Sequence, residues 1–484
     1  MAYVDKKSLR EEFDTIKSEF EKLSAGNKVS NESKILFKSM FSLFEILLAV
    51  FLERTTKKDS KNSSKPSSQT EKDESAKSES GSKGKGKKEN GERFANSQTE
   101  ETITISEVNF CENCGEDLKG VKSEHHERRT KIDIIFTKVV EHVEAEVKTC
   151  PVCHTSNRGK FPKEMRGVLQ YGLGIKAYVL DLLIAQMISL NRIQKSIKTL
   201  IGKMISEATI LKYVKQLYEA LEGWEKTSIE QILKMSAINA DETSLRVNKK
   251  NYWVHVYSAG DITLKFLHSK RGKEAIEDIN IIPRYGGVVI HDCWASYLSY
   301  HNCRHGLCGS HLLRELTFVF ESNGYKWASN MKKLLQETCK IVSKRTNKKL
   351  KNDEIKNLQK RYRNILTRAE KKLPEVVKKQ SGKRGRVAKS DAHNLWERLK
   401  NHEQAVLLFA KDSAVSFTNN RAERDLRMGK VKQKVSGCFR TEFYAKCYCR
   451  ISCYLQTMAN KGYNPLLATQ MALTGQLDQK EMYE

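Results

Sequence analysis

Residues 55–104 contain almost no large apolar side chain, and this segment limits the possible folds more than any other. It consists mainly of Lys, Ser, Glu, Gly and Asn. Such a segment buries too little surface to offset the entropy lost when its backbone is ordered. It is therefore predicted to be a disordered linker that separates residues 1–54 from the remainder. Because the linker divides a chain of 484 residues, several domains are expected.

Residues 1–54 are predicted to form two coiled-coil-like helices. Apolar side chains recur at alternating intervals of three and four in residues 8–24 and again in residues 31–54. This is the pattern of the core positions of a coiled coil. Two interpretations remain open. The helices form a hairpin that buries its own apolar stripe, or they join copies of the chain into a homo-oligomer.

The charge of the chain indicates a polyanionic partner. Lys and Arg number 86 against 59 Asp and Glu, which gives a formal net charge of +27. Nucleic acid is favoured over a membrane, because the most apolar run, residues 41–52, is shorter than the roughly 20 residues of a bilayer span. The first residues are charged and show no secretion signal. A cytoplasmic, nucleoid-associated protein is therefore expected.

Residues 105–160 carry two Cys-x2-Cys pairs and are predicted to be a zinc module. Disulfides are not expected in a cytoplasmic chain, although this one has 12 cysteines. Each pair can place two thiolates on one ion, and two pairs complete a tetrahedral site. The alternative is four unpaired surface thiols. The predicted Zn²⁺ ligands are Cys111, Cys114, Cys150 and Cys153.

Residues 161–235 are predicted to be helical and to contain a helix-turn-helix within residues 190–221. Gly202 marks the turn, and Ser206 is a good N-cap for the second helix. The alternative is an ordinary pair of helices in a bundle. The side chains of the second helix expected to face DNA are Thr209, Lys212, Tyr213 and Gln216.

Residues 236–321 change to strand character. Their short segments are rich in β-branched and aromatic residues and are bounded by Gly, Asn and Asp. Asp241 lies on or beside the first strand, and Asp292 follows a later strand, VVIH. A buried acid in a sheet is costly unless a cation compensates it, so both residues are candidate metal ligands. The alternative is that both acids face water.

Helices are predicted again on both sides of residue 415. Residues 322–415 are basic and include the loop 381–389, whereas residues 416–484 carry Glu423 near a helix start. Glu423 either pairs with Arg427 or joins the two Asp residues as a metal ligand. Three carboxylates can hold two Mg²⁺ ions about 3.5–4 Å apart, an arrangement suited to phosphodiester cleavage and transfer.

These motifs resemble those of the insertion-sequence-66 family of transposases over roughly residues 105–470. The resemblance is carried by ADETSLRV, HSKRGKEAI, VVIHDCWASY, CRHGLCGSHLLRELTFV and SFTNNRAERDLRMGKVKQKVSGCFR. It implies an RNase H-like core with a DDE triad of Asp241, Asp292 and Glu423, which bind Mg²⁺ or Mn²⁺. It also implies a helical insertion between the last two acids.

The resemblance extends to residues around the triad. Several transposase families have a C-x2-H element after the second Asp, and Cys308 and His311 match it. They are interpreted as packing and positioning residues beside the active site, and the alternative is that the two side chains bind zinc. The basic residues expected to hold DNA phosphates, besides the loop 381–389, are Arg424, Arg427, Lys430, Lys432 and Lys434.

The expected architecture is thus a multidomain α/β chain. An RNase H-like core with a large helical insertion follows the coiled-coil-like helices, the zinc module and the helix-turn-helix. The expected function is a DNA transposase that binds the terminal inverted repeats of its element, cleaves there and joins the ends to target DNA. Accessory proteins of the same element are expected partners. The alternatives are a non-catalytic zinc and helix-turn-helix regulator, and a nuclease or resolvase that cleaves without joining.

Overall fold

The computed structural model divides the chain into two compact units. One comprises residues 1–86 and 224–453, the other residues 87–223 and 454–484. The described residues are 6–25, 29–56, 58–59, 61–63, 103–131, 136–162, 165, 167–375 and 389–476. Most of the predicted linker, and all of the basic loop except Lys389, lie outside them.

The elements are numbered in chain order. The first group is α1 (Lys6–Ala25), α2 (Asn31–Thr55), β1 (Val147–Thr149), β2 (Ser156–Arg158), α3 (Leu173–Leu180), α4 (Leu190–Ile201), α5 (Glu207–Ala220) and α6 (Glu222–Leu233). The sheet region contains β3 (Ala237–Val247), β4 (Lys250–Ala259), β5 (Ile262–His268), α7 (Lys273–Ile279), β6 (Val288–His291), α8 (Ala295–Leu298) and β7 (Arg304–Leu307). The remaining helices are α9 (Gly309–Asn323), α10 (Lys326–Lys344), α11 (Asn352–Glu370), α12 (Asp391–Asn401), α13 (Glu403–Val406), α14 (Leu408–Lys411), α15 (Asn420–Ser436), α16 (Glu442–Asn460) and α17 (Pro465–Thr474).

The first unit is built on a mixed sheet of five strands in the order β5-β4-β3-β6-β7. The first three strands pair antiparallel, whereas β6 is parallel to both β3 and β7. A two-residue turn joins β3 to β4, and Asn248 and Lys249 both have positive φ there. Such turns match the twist of the strands they connect.

Helices cover both faces of this sheet. On β3, Leu245 and Val247 pack with residues of α15 and α16, whereas Ile238 and Ala240 pack on the opposite face with α7. The faces differ because neighbouring side chains of a strand point in opposite directions. Helices α9 to α14 share a third apolar cluster with β6 and β7. Because Asp241 is an even number of residues from Leu245 and Val247, its side chain lies on the same face of β3 as theirs, toward α15.

Helices α1 and α2 form an antiparallel pair whose aromatic side chains touch. The ring centroids of Phe20 and Phe37 are 5.1 Å apart, and Lys17 Nζ lies 2.7 Å from Glu45 Oε1. Much of the apolar face of α2 nevertheless remains exposed, as at Leu36 and Leu47. The described hairpin therefore buries only part of the predicted stripe.

The last turn of α2 contacts α9 and α12. Glu53 is buried, and its carboxylate accepts hydrogen bonds from the backbone N–H groups of Asp391 (2.8 Å) and Ala392 (3.1 Å). Asn323 Nδ2 on α9 donates to it as well, at 3.3 Å. The carboxylate thus supplies partners for the otherwise unpaired amides at the start of α12.

Within the described residues, α2 is the one helix long and apolar enough to cross a membrane by length and composition. The run 41–52 alone is shorter than a bilayer span, but the helix that contains it has 25 residues and includes an apolar window of 18 residues. A single such helix is weak evidence for a membrane span, since core helices of soluble proteins share the property.

The second unit contains the predicted helix-turn-helix. Helices α4 and α5 are joined through Gly202, whose φ of 75° gives the chain its turn. Helices α3 and α17 pack against α5. Tyr213 was expected to face outward, and this is wrong. It is 5% exposed, since it shares the apolar stripe of Ile210 and Leu217.

Ser206 is the N-cap of α5, as the sequence predicted. Its Oγ accepts a hydrogen bond from the backbone N–H of Thr209 at 3.1 Å. We expect Ser206→Ala to lower the free energy of unfolding by about 1 kcal/mol, because an amide at the helix start loses its partner. Chemical denaturation of the full chain measures this. Ser206→Asp keeps an accepting oxygen, and equal losses in both variants would contradict the capping role.

Candidate active site

Strands β3 and β6 bring Asp241 and Asp292 close together. The strands pair in parallel up to Asn239 and Ile290, and each Asp lies two residues further along its strand direction. Backbone N–H groups hold both carboxylates, since Glu242 donates to Asp241 at 2.8 Å and Trp294 donates to Asp292 at 3.1 Å. The two acids thus lie just beyond the paired segment of β3 and β6, and Asp241 is still within β3, opposite Val256 of β4.

Burial, followed by the negative charges of Glu242 and Asp292, raises the pKa of Asp241 to about 8. The charge of Glu423 acts in the same direction. A carboxyl group in such surroundings binds a proton at neutral pH unless a cation replaces it. The structure therefore concentrates acids here at an electrostatic cost.

Glu423 reaches this site from the first turn of α15. Asn419, which is buried just before the helix, donates from Nδ2 to the backbone oxygen of Ala240 at 2.8 Å. Its Oδ1 accepts from Asn239 Nδ2, also at 2.8 Å. These two bonds fasten the start of α15 to β3 beside Asp241.

Cys308 and His311 lie against Glu423. Cys308 Sγ is 3.9 Å from Glu423 Oε1, and His311 Nδ1 is 3.5 Å from the same oxygen. The backbone N–H of Asn419 points to the sulfur at 3.1 Å. The structure therefore brings the C-x2-H element and the third acid into one cluster.

Glu242, a buried acid next to Asp241 in β3, was not identified from the sequence. Nε and one terminal nitrogen of Arg271 donate to its Oε1 at 2.9 and 2.7 Å, and Tyr297 Oη donates to its Oε2 at 2.8 Å. The guanidinium lies over the rings of Trp253 (4.9 Å) and Trp294 (4.4 Å). Burial raises the pKa of Glu242, and its bonds to Tyr297 and Arg271 oppose the rise. The Arg in HSKRGKEAI was the available signal, but its partner was not predictable.

A pair of histidines holds the turn that presents Asp292. Cys293 has a φ of 72°, a backbone conformation that residues other than glycine rarely adopt. Its N–H donates to His291 Nδ1 at 3.1 Å, and His291 Nε2 lies 3.2 Å from His305 Nδ1. Burial lowers the pKa of His291 to about 3, so this ring is neutral. Its proton must then be on Nε2, which donates to His305.

Asp425 anchors α15 to the sheet two residues after Glu423. It is fully buried, and its Oδ2 accepts from Ser258 Oγ (2.7 Å), Thr263 Oγ1 (2.8 Å) and Arg421 Nε (2.9 Å). Ser258 and Thr263 belong to β4 and β5, so one carboxylate connects the helix to two strands. Neither resemblance nor periodicity had indicated this residue.

The residues predicted to hold DNA divide by exposure. Arg424, Arg427 and Lys434 of α15 are exposed, as are Lys212 and Gln216 of α5, and Thr209 is partly exposed. Lys430 is half-buried, and its Nζ donates to Ser244 Oγ at 2.9 Å. Lys432 is 7% exposed, so the prediction that it contacts phosphate is wrong. Its side chain lies on the face of α15 that is turned toward the interior. A count of basic residues does not show which face of a helix each one occupies.

The two Cys-x2-Cys pairs form turns of the same shape. The N–H of Cys111 donates to Glu116 and that of Gly115 to Cys111, both at 2.9 Å. The N–H of Cys150 donates to Thr155 and that of His154 to Cys150, again at 2.9 Å. Hydrogen bonds lower the pKa of the Cys153 thiol to about 7. Among the described residues, however, no three of these cysteines gather within ligand distance of one another.

Comparison with protein families yields a match to the family described as Transposase IS66 family, over residues 169–446. The match covers more than half of the chain, and it includes the three acids, the C-x2-H element and helices α4 and α5. It begins after the two Cys-x2-Cys turns. No curated protein matches the chain at a significant level.

Proposed function

The chain belongs to the IS66 family of transposases, and on this premise we propose that Asp241, Asp292 and Glu423 hold two divalent metal ions for DNA cleavage and strand transfer. Membership of this family implies that the chain is an enzyme that acts on DNA and requires a divalent metal. The residues that bind the metal, and the steps that follow, are the content of the proposal.

The observation that carries the proposal is an electrostatic cluster of three acids, in which the charges of Asp292 and Glu423 both raise the pKa of Asp241, although among the described residues their ligand atoms do not all lie within 4.8 Å of one another. Asp241 and Asp292 form no ion pair with Lys or Arg within the described part of the chain. Burial and mutual repulsion would be relieved by Mg²⁺ or Mn²⁺, which prefer carboxylate oxygens. The residues present therefore fit the metals that the family implies.

The sheet supports an RNase H-like core for this site. Counted along the chain, its strand order is third, second, first, fourth and fifth, and the first three strands are antiparallel. The acids come from the first strand, the end of the fourth and the helix α15. Helices α10 to α14 lie in the interval between Asp292 and Glu423, as the proposed helical insertion requires.

Each group at the site has a task that its position supports. Bound metal ions supply activation of an attacking oxygen and stabilisation of a leaving oxygen. Arg424, Arg427 and Lys434, exposed on the helix of Glu423, hold phosphates of the DNA. Asn419 and the His291–His305 pair keep Glu423 and Asp292 in place. The protein thus orients the DNA backbone across the sheet edge.

We further propose that the second unit recognises the terminal inverted repeats. The equivalent hydrogen bonding of the two cysteine turns supports a shared Zn²⁺ ion. The exposed side chains of α5 support a role in base or phosphate contact. Self-association through α2, help from accessory proteins and action at the nucleoid complete the proposal.

Metal affinity is expected to depend on pH because protons and metal compete for Asp241. With a pKa of about 8, Asp241 must lose a proton to bind metal at pH 6 or 7. Affinity for Mn²⁺ should rise up to about tenfold per pH unit and level off above about pH 8. Calorimetric titration at several pH values measures this. A flat profile would contradict the assignment of Asp241 as a ligand.

The function is tested with purified chain, Mg²⁺ or Mn²⁺, and a labelled duplex of the DNA that flanks the gene. Nicking at the element end and joining to a target plasmid are expected, and both should be lost in Asp292→Ala. Cleavage without joining would favour a nuclease or resolvase. Binding without cleavage, even after the accessory proteins are added, would favour the non-catalytic regulator.

A further inference from the structure

The cluster of Cys308, His311 and Glu423 has the geometry of a metal site of its own. A sulfur, a ring nitrogen and a carboxylate oxygen from these residues all lie within 4.8 Å of one another. Ligands of a tetrahedral Zn²⁺ ion, at about 2.0–2.3 Å from the metal, are separated by roughly 3.3–3.7 Å. The observed separations from Glu423 Oε1 are 3.9 Å to the sulfur and 3.5 Å to the nitrogen. Small side-chain movements would therefore complete the coordination.

His311 Nδ1 lacks the partner that its position calls for. The atom is buried and has no hydrogen bond among the described residues. A His–Glu hydrogen bond would bring the two atoms to about 2.7–3.2 Å, which is shorter than the 3.5 Å observed. Leaving a buried ring nitrogen unpaired is costly. A cation between the three groups would remove this cost.

The surroundings of Cys308 suit a metal-bound thiolate. The sulfur is buried at the start of α9, where backbone N–H groups point outward. The N–H of Asn419 approaches it at 3.1 Å. Burial raises the pKa of the Cys308 thiol, and this N–H···S contact opposes the rise and orients the sulfur as a ligand. No disulfide partner competes, because Cys308 is a free cysteine.

We propose that Cys308, His311 and Glu423 bind a thiophilic divalent cation of the Zn²⁺ class, at a site separate from the oxygen-ligated metal pair. Thiolate and imidazole ligands select Zn²⁺ or Co²⁺ over Mg²⁺. The fourth coordination position is left to water or to a phosphate oxygen. The inference rests on the proposed function only in that Glu423 is shared with the catalytic acids.

The test is a titration of the metal-free full chain with Co²⁺ in the presence of excess Mg²⁺. Thiolate ligation gives a charge-transfer absorption that oxygen ligands do not produce. The Cys-x2-Cys pairs contribute to the same band, so the result is a difference between variants. Cys308→Ser should bind one equivalent fewer than wild type and show a weaker band. Cys303→Ser, which removes another buried thiol at the opposite end of β7, should match wild type.

A second variant guards against a folding defect in Cys308→Ser. His311→Gln leaves the thiol and the start of α9 intact, and it should weaken this equivalent by at least about tenfold. Circular dichroism and the thermal midpoint of each variant report on folding. Equal Co²⁺ stoichiometry and band intensity in wild type, Cys308→Ser and His311→Gln would overturn the proposal.

The outcome is separable from that of the proposed function. Asp241→Asn should lose DNA cleavage yet keep the Co²⁺ band that depends on Cys308, because Asp241 is not in this cluster. A wild-type chain that binds Co²⁺ through Cys308 but never cleaves DNA would leave the inference standing and reject the function. A chain that cleaves DNA but shows no Co²⁺ absorption dependent on Cys308 would reject the inference and leave the proposed function standing.

Discussion

Asp241→Asn is expected to lower metal-dependent DNA cleavage by more than about 10³-fold without destabilising the metal-free protein. The substitution keeps the size of the side chain and removes the charge that would bind metal. Burial and neighbouring acids already raise the pKa of Asp241 to about 8, so the native site favours a neutral group at neutral pH. Activity and stability should therefore change independently, which is typical of a residue selected for function.

The free energy of unfolding is expected to change with pH in a defined direction. The pKa of Asp241 is raised from 3.8 to about 8 in the folded chain, so folded protein binds the proton more tightly than unfolded protein does. Its contribution to stability is present below pH 4 and is lost as the pH rises toward 8. Denaturant unfolding of metal-free protein should show this loss in wild type and not in Asp241→Asn.

The matched control is Asp278→Asn, because Asp278 is an exposed acid in the same unit. It should leave cleavage within about twofold of wild type, as exposed single charges contribute little. Normal cleavage by Asp241→Asn would reject the metal site. A variant destabilised at pH 8 in metal-free buffer would contradict the electrostatic account of the acid cluster.

Asp425→Ala is expected to lower the free energy of unfolding of the first unit by about 3–5 kcal/mol. The carboxylate is the common acceptor for Ser258, Thr263 and Arg421. Its removal leaves a guanidinium without its buried partner and opens a cavity between α15 and the sheet. Urea unfolding, followed by far-ultraviolet circular dichroism, measures the loss.

The same substitution should reduce cleavage in protein that remains folded, since Glu423 sits on the turn that Asp425 anchors. Glu370→Ala is the comparison, because Glu370 pairs with Lys400 on the surface. That pair should contribute less than about 1 kcal/mol. A similar small effect of both substitutions would show that the buried network does not hold α15.

Part of the site was predictable because acids within or just after short apolar segments are local features. Asp241 follows the segment SAINA and Asp292 follows VVIH, and the parallel pairing of β3 and β6 then brings the two acids together. Glu423 lies 131 residues beyond Asp292, and no periodicity spans such an interval. It was identified through resemblance to a family.

The errors have physical causes that sequence patterns do not capture. Tyr213 has an apolar ring and a polar tip, so it was placed outside although its ring completes the stripe of α5. Lys432 was grouped with its exposed neighbours, yet the rotation of α15 turns it inward. Glu242 and Arg271 meet only because β4 and β5 fold back on β3, a tertiary effect that spacing cannot show.

The contact between Glu53 and the start of α12 sets an order of events during synthesis. The partners are 338 residues apart, so the ribosome completes α2 long before α12 exists. At about 5–20 residues per second, the delay is roughly 20–70 s. During that time the Glu53 carboxylate lacks its partners on α12, and the part of the apolar face of α2 that α1 does not cover stays exposed. In a newly synthesised transposase of this kind, the exposed apolar face of α2 is therefore accessible to chaperones, or to a neighbouring chain, before α12 has been made.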